Sequence, residues 1–424
     1  MSSDAQPAAA SLPRRKRDVF DDLVGRRNLL ILLLFLVSIG AQTLLFQFLP
    51  PARERNQNGD YFNFYGPVAE NLAESKGILN RRGTLASEYP PGFPLLVAGS
   101  FKLADAVGQD RIAAIAVFNV LISALSCILV FLIAELIFTR RVAALAALMW
   151  GTYPPDVWLS VQPNTEVPYI PLFLVSVLLT LLAMKKEKLG LAVAAGFVLG
   201  LGGLIRPIAI SAAAFLALGL FLFSMKGHRW KGLISGALLM TAFVLTILPW
   251  ELYVRHHTGG GIPLFTKSSS LVMQGMTSVV TDTPRNLKKT EAPKRSQVLK
   301  LFVDELNADP LTILKFLLLK LLRGWYGTYN MQKGYRLLPL QLFYLLLAGF
   351  GFRRAYKEHP LDHPQILILL LAVIGAWLTT ILTVPLLRYM IPQMALVIIF
   401  AAITVDHLVF RLGQHAPVPE TVGA

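Results

Sequence analysis

Residues 189–225 read LGLAVAAGFVLGLGGLIRPIAISAAAFLALGLFLFSM, two apolar runs with a single charged side chain, Arg206, between them. Each run approaches the roughly 20 apolar residues that cross a hydrocarbon core. Pro207 ends the first run, because its ring cannot continue a helix. Lys185, Lys186 and Lys188 precede the stretch, and Lys226, His228, Arg229 and Lys231 follow it. Basic clusters at both far ends and one turn between them describe a membrane hairpin whose basic ends share one side.

The rest of the chain repeats this pattern. It is 54% hydrophobic and only 15% charged over 424 residues, too apolar for a soluble protein of that size. The fold class is an all-α polytopic membrane protein. Ten spans are expected, at about 28–49, 113–138, from there to about 152, 166–184, 189–205, 208–225, 232–253, 335–352, 364–384 and 389–410. The formal charge of +15 sits in short clusters between apolar runs. That is the positive-inside pattern rather than a nucleic-acid surface, so no nucleic-acid partner is expected.

With the N-terminus inside, every even-numbered span returns to the basic side. Both termini are then cytoplasmic. The long loops 50–112 and 254–334 fall outside, with short outer turns at 152–165 and 385–388. Residues 1–27 read as a disordered basic tail, 28–410 as one transmembrane domain, and 411–424 as a second tail. No cleavable signal peptide and no terminal soluble domain are expected. The run Leu311 to Leu322, interrupted by Lys315 and Lys320, suits a helix lying in the interface, and so do residues 66–76. Cys127 is the sole cysteine, which excludes a disulfide framework and a cysteine metal site. No internal repeat is visible, which weighs against an inverted-repeat transporter.

The first long loop opens GDYFNFYGPVAENLAESKGILNRRGTLASEYPPGFPLL, residues 59–96. Two readings of Asp60 stand: a general base taking a proton at the membrane surface, or a loop aspartate capping the helix that follows. Glu166 begins an apolar run, where a carboxylate is costly unless it meets a partner or a wet cavity. It also suits the positive N-terminus of a helix, and Asp156 in the same segment is its rival. Arg206 and Arg388 stand alone at separate outer turns. Each either holds a phosphate or snorkels to headgroups, and together they suggest a converging anion site. Lys267, followed by Ser268, Ser269 and Ser270, is either a phosphate contact or a solvated loop. His256 and His257 are adjacent, so on a helix they diverge by about 100° and make a poor metal pair. Trp325-Tyr326-Gly327-Thr328-Tyr329-Asn330 reads as an interfacial anchor or a sugar-stacking surface. No GxSxG elbow is present, so serine-hydrolase chemistry lacks support.

Five segments in order resemble the GT-C superfamily of glycosyltransferases: GDYFNFYGPVAENLAESKG with YPPGFPLLVAG, then NTEVPYIPLFL, GLIRP, LPWELYVRHHTGGGIPLFTKSSSLVMQG and RYMIPQMALVIIFAA. The chain is most similar to the bacterial, glycosyltransferase family 39-like branch related to protein O-mannosyltransferases and to the lipid A aminoarabinose transferase. Many relatives carry an Asp-Glu pair in the first loop, whereas Tyr61 follows Asp60 here.

The resemblance implies a bundle of about ten helices with interfacial helices in its outer loops. It implies transfer of a sugar from a polyprenyl-phosphate donor to a protein, lipid or glycan acceptor on the extracytoplasmic face of the inner membrane. Asp60 and Glu166 are then the candidate catalytic acids, and Arg206, Arg388 and Lys267 the candidate phosphate contacts. Tyr61, Tyr65, Tyr89, Asn164, Arg255, His256 and Tyr389 are the candidate substrate contacts. No cofactor is required, although a divalent metal is compatible. A lipid-linked saccharide flippase and a glycan ligase are the alternatives; donor analysis separates the ligase, and product-free transport the flippase.

Overall fold

This computed structural model describes residues 24–48, 59–223, 229–259, 295–328 and 331–411. Lys267 and both terminal tails lie largely or wholly outside them. The described chain is helical. Helix α1 (Arg27–Gln47) precedes a π-helical turn (Tyr61–Tyr65), α2 (Gly66–Ala73) and α3 (Gly92–Ala106). Then come α4 (Arg111–Ile137), α5 (Arg140–Gly151), α6 (Pro154–Ser160), α7 (Glu166–Lys186), α8 (Leu189–Gly203), α9 (Ala209–Phe223) and α10 (Arg229–Thr258). The last group is α11 (Arg295–Ala308), α12 (Pro310–Arg323), α13 (Met331–Glu358), α14 (His363–Leu382) and α15 (Ile391–Asp406).

Every expected span coincides with a helix, but they are not equivalent. Seven described helices (α1, α4, α7, α10, α13, α14 and α15) are long and apolar enough to cross a membrane. Helices α8 and α9 have 15 residues each and α5 has 12, so a count of ten includes three short members. At 1.5 Å per residue, 15 residues rise about 22 Å, short of a full hydrocarbon core of roughly 30 Å. The α8–α9 hairpin therefore turns inside the bundle. Arg206, at that turn, is buried rather than extended to a headgroup layer.

Two of the seven spans, α7 and α15, are the most deeply buried and form the centre. Helix α15 packs against α13, α5 and α14, and α7 packs against α8, α4 and α9. Lipid gives apolar side chains no reason to leave it, so close packing and polar contacts must hold such helices together. Glycines make the approach possible. A Cβ on Gly236 of α10 would meet the Ala217 carbonyl of α9 at 2.7 Å. A Cβ on Gly351 of α13 would collide with the Phe400 carbonyl of α15. Thr404 adds an interhelical hydrogen bond, donating to Leu347 O at 2.7 Å.

The charges at the end of the bundle reached by the C-termini of α4, α7 and α15 are paired. Glu135 accepts from Arg27 and Arg140, both at 2.9 Å, and Arg141 lies 2.8 Å from Asp406. This end also carries Lys185 and Lys186, so the basic clusters read from the sequence do gather together. The first loop differs from expectation. Helix α2 buries Gly66, Pro67, Val68 and Ala69, and a helix not read from the sequence, α3, packs on it. Helix α12 leaves Leu311, Leu314, Leu318 and Leu322 exposed on one face, the pattern of an interfacial helix.

Gly351→Val is expected to separate α13 from α15 and to destabilise the detergent-purified protein by about 1–3 kcal/mol, seen as a lower Tm in a thermal melt.

Candidate active site

The acidic first loop is held by its own aromatic side chains. Gly66 N–H donates to Tyr61 O, a five-residue step, and Pro67 follows with no N–H to give. This π-helical turn, a feature frequent at functional sites, buries Tyr61, Phe64 and Tyr65. Phe64, Tyr65, Tyr89 and Phe93 form one cluster with ring centroids 4.6–5.2 Å apart. The Tyr89 hydroxyl is pushed up to about 12, first by burial and then by the Asp60 carboxylate, so it stays protonated. Tyr61 packs over Gly66, with its hydroxyl in the field of Glu70 and Asp110. Asp60, one residue earlier, faces the opposite way. Its Oδ2 lies 3.8 Å from Arg388 Nη2.

Glu166 is 3% exposed at the first position of α7. Asn164 builds that helix start. Its Oδ1 accepts from Val167 N–H at 3.0 Å, and its Nδ2 donates to Leu159 O at 2.6 Å and Gln162 O at 2.8 Å. Arg206 Nη1 pairs with Glu166 Oε1 at 2.5 Å and donates to Thr165 Oγ1 at 2.8 Å. Arg388 Nε lies 3.7 Å from the same carboxylate oxygen, a Coulombic neighbour too far for a hydrogen bond. Both arginines of the separate turns thus converge on one carboxylate.

Arg388 sits in a 3₁₀ turn, Leu387–Tyr389, just before α15. The turn is anchored by Leu387 N–H donating to Gly327 O at 2.7 Å. Tyr389 presents its ring to both guanidinium groups, 5.5 Å from Arg206 and 5.2 Å from Arg388, within cation–π range. Arg388 Nη2 also donates to the Tyr389 hydroxyl at 3.3 Å.

These groups border a cavity of about 1010 Å³. Its polar lining includes Asp60, Asn164, Glu166, Lys333 and Arg388. Its apolar lining comes from Leu44 and Phe48 at the end of α1, Leu337 of α13 and Ile391 of α15. Of the residues singled out in the sequence, Asp60, Glu166, Arg206, Arg388 and Tyr389 come together, with Asn164 beside them. Tyr65 and Tyr89 pack behind Asp60, while Tyr61 turns away from the cavity. Arg255 and His256 lie on the exposed end of α10, off the cavity lining. Lys267 lies outside the described residues. Asp156 faces inward instead: its Oδ2 accepts from Ser123 at 2.7 Å, and its Oδ1 has no hydrogen-bond partner among the described residues. Lys333 and Thr165 had no distinguishing signal in the sequence. Among the described residues no group of three His, Cys, Asp or Glu side chains could hold a metal ion.

Residues 88–253 match the family model described as dolichyl-phosphate-mannose-protein mannosyltransferase. No curated protein matches the chain by sequence. Among solved structures, it is similar to the oligosaccharyltransferase AglB of Archaeoglobus fulgidus in complex with an inhibitory peptide and a dolichol-phosphate. The TM-score is 0.58 at 13% identity, covering 96% of this chain and 53% of that one. The apo form of the Archaeoglobus fulgidus oligosaccharyltransferase gives 0.59 at 13%, covering 91% and 51%. ArnT of Cupriavidus metallidurans bound to undecaprenyl phosphate gives 0.55 at 14%, covering 92% and 62%. The chain spans about half the length of the archaeal enzymes. At these identities the likeness is one of fold alone: the chain shares the helical bundle of these enzymes.

Arg206→Ala should cost about 3–5 kcal/mol by stranding a buried carboxylate, and Glu166→Gln in the same chain should recover part of that loss in a thermal melt. Asp156 offers a pH test. Burial pushes its carboxyl up to about 7, so the folded state holds a proton that the unfolded chain releases near pH 4. Stability contributed by this group is complete below pH 4 and falls as pH rises from 4 to 7, by an amount on the order of 4 kcal/mol. Asp156→Asn should flatten the dependence of Tm on pH across that window.

Proposed function

We propose that the chain is a membrane glycosyltransferase that moves a sugar from a polyprenyl-phosphate carrier to an acceptor hydroxyl. The observation that carries this reading is one cavity with a carboxylate and a guanidinium at one end and an aliphatic wall at the other. The family match over residues 88–253 supports it, as do two relatives by fold that were solved with a lipid phosphate.

The chemistry is one displacement at the anomeric carbon. The acceptor oxygen forms the new bond as the bond from that carbon to the phosphate oxygen breaks. Asp60 takes the acceptor proton as attack proceeds. It is suited to the task because its side chain is 45% exposed and can reach an incoming hydroxyl. The electron pair of the broken bond stays on the phosphate, a good leaving group that needs no general acid. Arg388 stabilises the charge that develops there. Configuration at carbon inverts because a single displacement occurs.

Glu166 acts through the arginines. A buried carboxylate between Arg206 and Arg388 fixes both guanidinium groups and has little freedom to accept a proton itself. Arg206, drawn into that pair, supplies field from behind the cavity. Tyr65 and Tyr89 hold the segment carrying Asp60. The paired and basic end of the bundle then faces the cytoplasm, and the cavity faces the extracytoplasmic side, by the positive-inside rule.

Asp60→Asn should lower turnover of a polyprenyl-phosphate sugar by about 10²–10⁴-fold while the protein stays in the membrane with an unchanged Tm. Full transfer by that variant rules out Asp60 as the base.

A further inference from the structure

The π-helical turn over Tyr61–Tyr65 leaves one carbonyl short of a donor. Tyr61 O takes the Gly66 N–H in a five-residue step. By the same step the next carbonyl, Phe62 O, needs an N–H from residue 67, and Pro67 has none. A backbone carbonyl deprived in this way must be satisfied from elsewhere. Arg81 supplies the donor: its Nη2 donates to Phe62 O at 2.7 Å.

The contact matters because the turn is packed on one side only. Tyr61, Phe64 and Tyr65 are buried, while Phe62 and Asn63 are exposed. Asp60 stands at the start of this turn, two residues before Phe62. The buried rings fix the inner side, and Arg81 holds the turn from its solvent-exposed side.

Arg81 is itself placed by a built hairpin. Asn80 Oδ1 accepts from the N–H groups of Arg82 and Thr84 at 2.9 and 3.2 Å, and Asn80 Nδ2 donates to Thr84 Oγ1 at 2.8 Å. Gly83 reverses the chain with φ of +76°, which favours glycine. Asn71 of α2 donates from Nδ2 to Leu79 O at 2.8 Å, tying the hairpin to the helix that follows the π-turn. The turn, α2 and the hairpin thus form a ring that the Arg81 contact closes. Holding an exposed arginine in one place costs side-chain entropy, and a charge-assisted hydrogen bond to a carbonyl without another donor offsets it.

Resting on the transferase reading, we infer that Arg81 is a positioning residue for Asp60. Its guanidinium replaces the donor that Pro67 lacks and keeps the π-turn, with Asp60 at its start, from opening. Arg82 is the internal control: it carries the same charge, but its side chain makes no hydrogen bond or ion pair among the described residues.

The test compares Arg81→Gln, Arg81→Lys and Arg82→Gln with wild type, as purified full chain in nanodiscs. Hydrogen exchange over residues 60–66 should quicken about tenfold in Arg81→Gln, stay near wild type in Arg81→Lys and be unchanged in Arg82→Gln. With a panel of undecaprenyl-phosphate hexoses and pentoses as donors and a cell-envelope fraction as acceptor, Arg81→Gln should lower kcat about tenfold and leave KM for the donor unchanged. Arg81→Lys should recover most of that loss. Equal exchange in Arg81→Gln and wild type overturns the hold on the turn. Faster exchange with an unchanged kcat, or an equal loss of kcat in Arg82→Gln, overturns the positioning of Asp60. A wild type inert toward the whole donor panel sinks the transferase reading, and the exchange data still decide whether Arg81 holds the turn.

Discussion

A carboxylate buried at a helix start cannot remain charged alone, and Glu166 organises the site for that reason. It draws in Arg206 from the α8–α9 turn and faces Arg388 from the turn before α15. The ion pair therefore ties together segments far apart in sequence. It also explains why α8 is short: the chain must turn within the bundle to bring Arg206 to the start of α7. The two central helices, α7 and α15, then begin at the same end, with Glu166 and Arg388 between them and the cavity.

Around that pair the labour divides by burial. Glu166 and Arg206 are almost wholly enclosed, while Asp60 and Arg388 keep one side toward the cavity. Tyr389 lies against both guanidinium groups, so its ring bridges the buried arginine and the open one. The aromatic cluster of Tyr65, Tyr89, Phe64 and Phe93 does the corresponding work for the first loop. The charged groups that face the cavity stay partly open, and the groups behind them are packed. The far end of the bundle pairs its charges as well: Glu135 between Arg27 and Arg140, and Asp406 against Arg141, neutralise helix ends in place.

Tyr61 illustrates how local geometry decides the use of a residue. Its neighbour Asp60 faces the cavity, while Tyr61 is turned inward by the π-helical step that Pro67 favours. An acid at position 61 would point into the packing around Gly66 and Glu70. Asp60 therefore faces the cavity with no acidic neighbour at position 61.

The spans were legible because lipid imposes a simple length and composition on any helix that crosses it, and basic clusters report its ends. Asp60, Glu166, Arg206 and Arg388 were also legible, as charges at the edges of apolar runs where a charge needs a reason. Helix α3 was not, since the prolines before it read as a loop and its apolar face packs on α2 only in three dimensions. Arg255 and His256 looked like site residues beside Trp250, yet the continuing helix carries them to its exposed end. Lys333 gave no sign, because an isolated lysine after a loop is ordinary until a cavity forms beside it. Sequence alone determined an apolar helical bundle with a small set of charges at one set of turns, through hydrophobic periodicity and the cost of charge in lipid. Only tertiary structure decided which charges meet, because a Coulombic pair depends on ångström distances that chain separation does not encode.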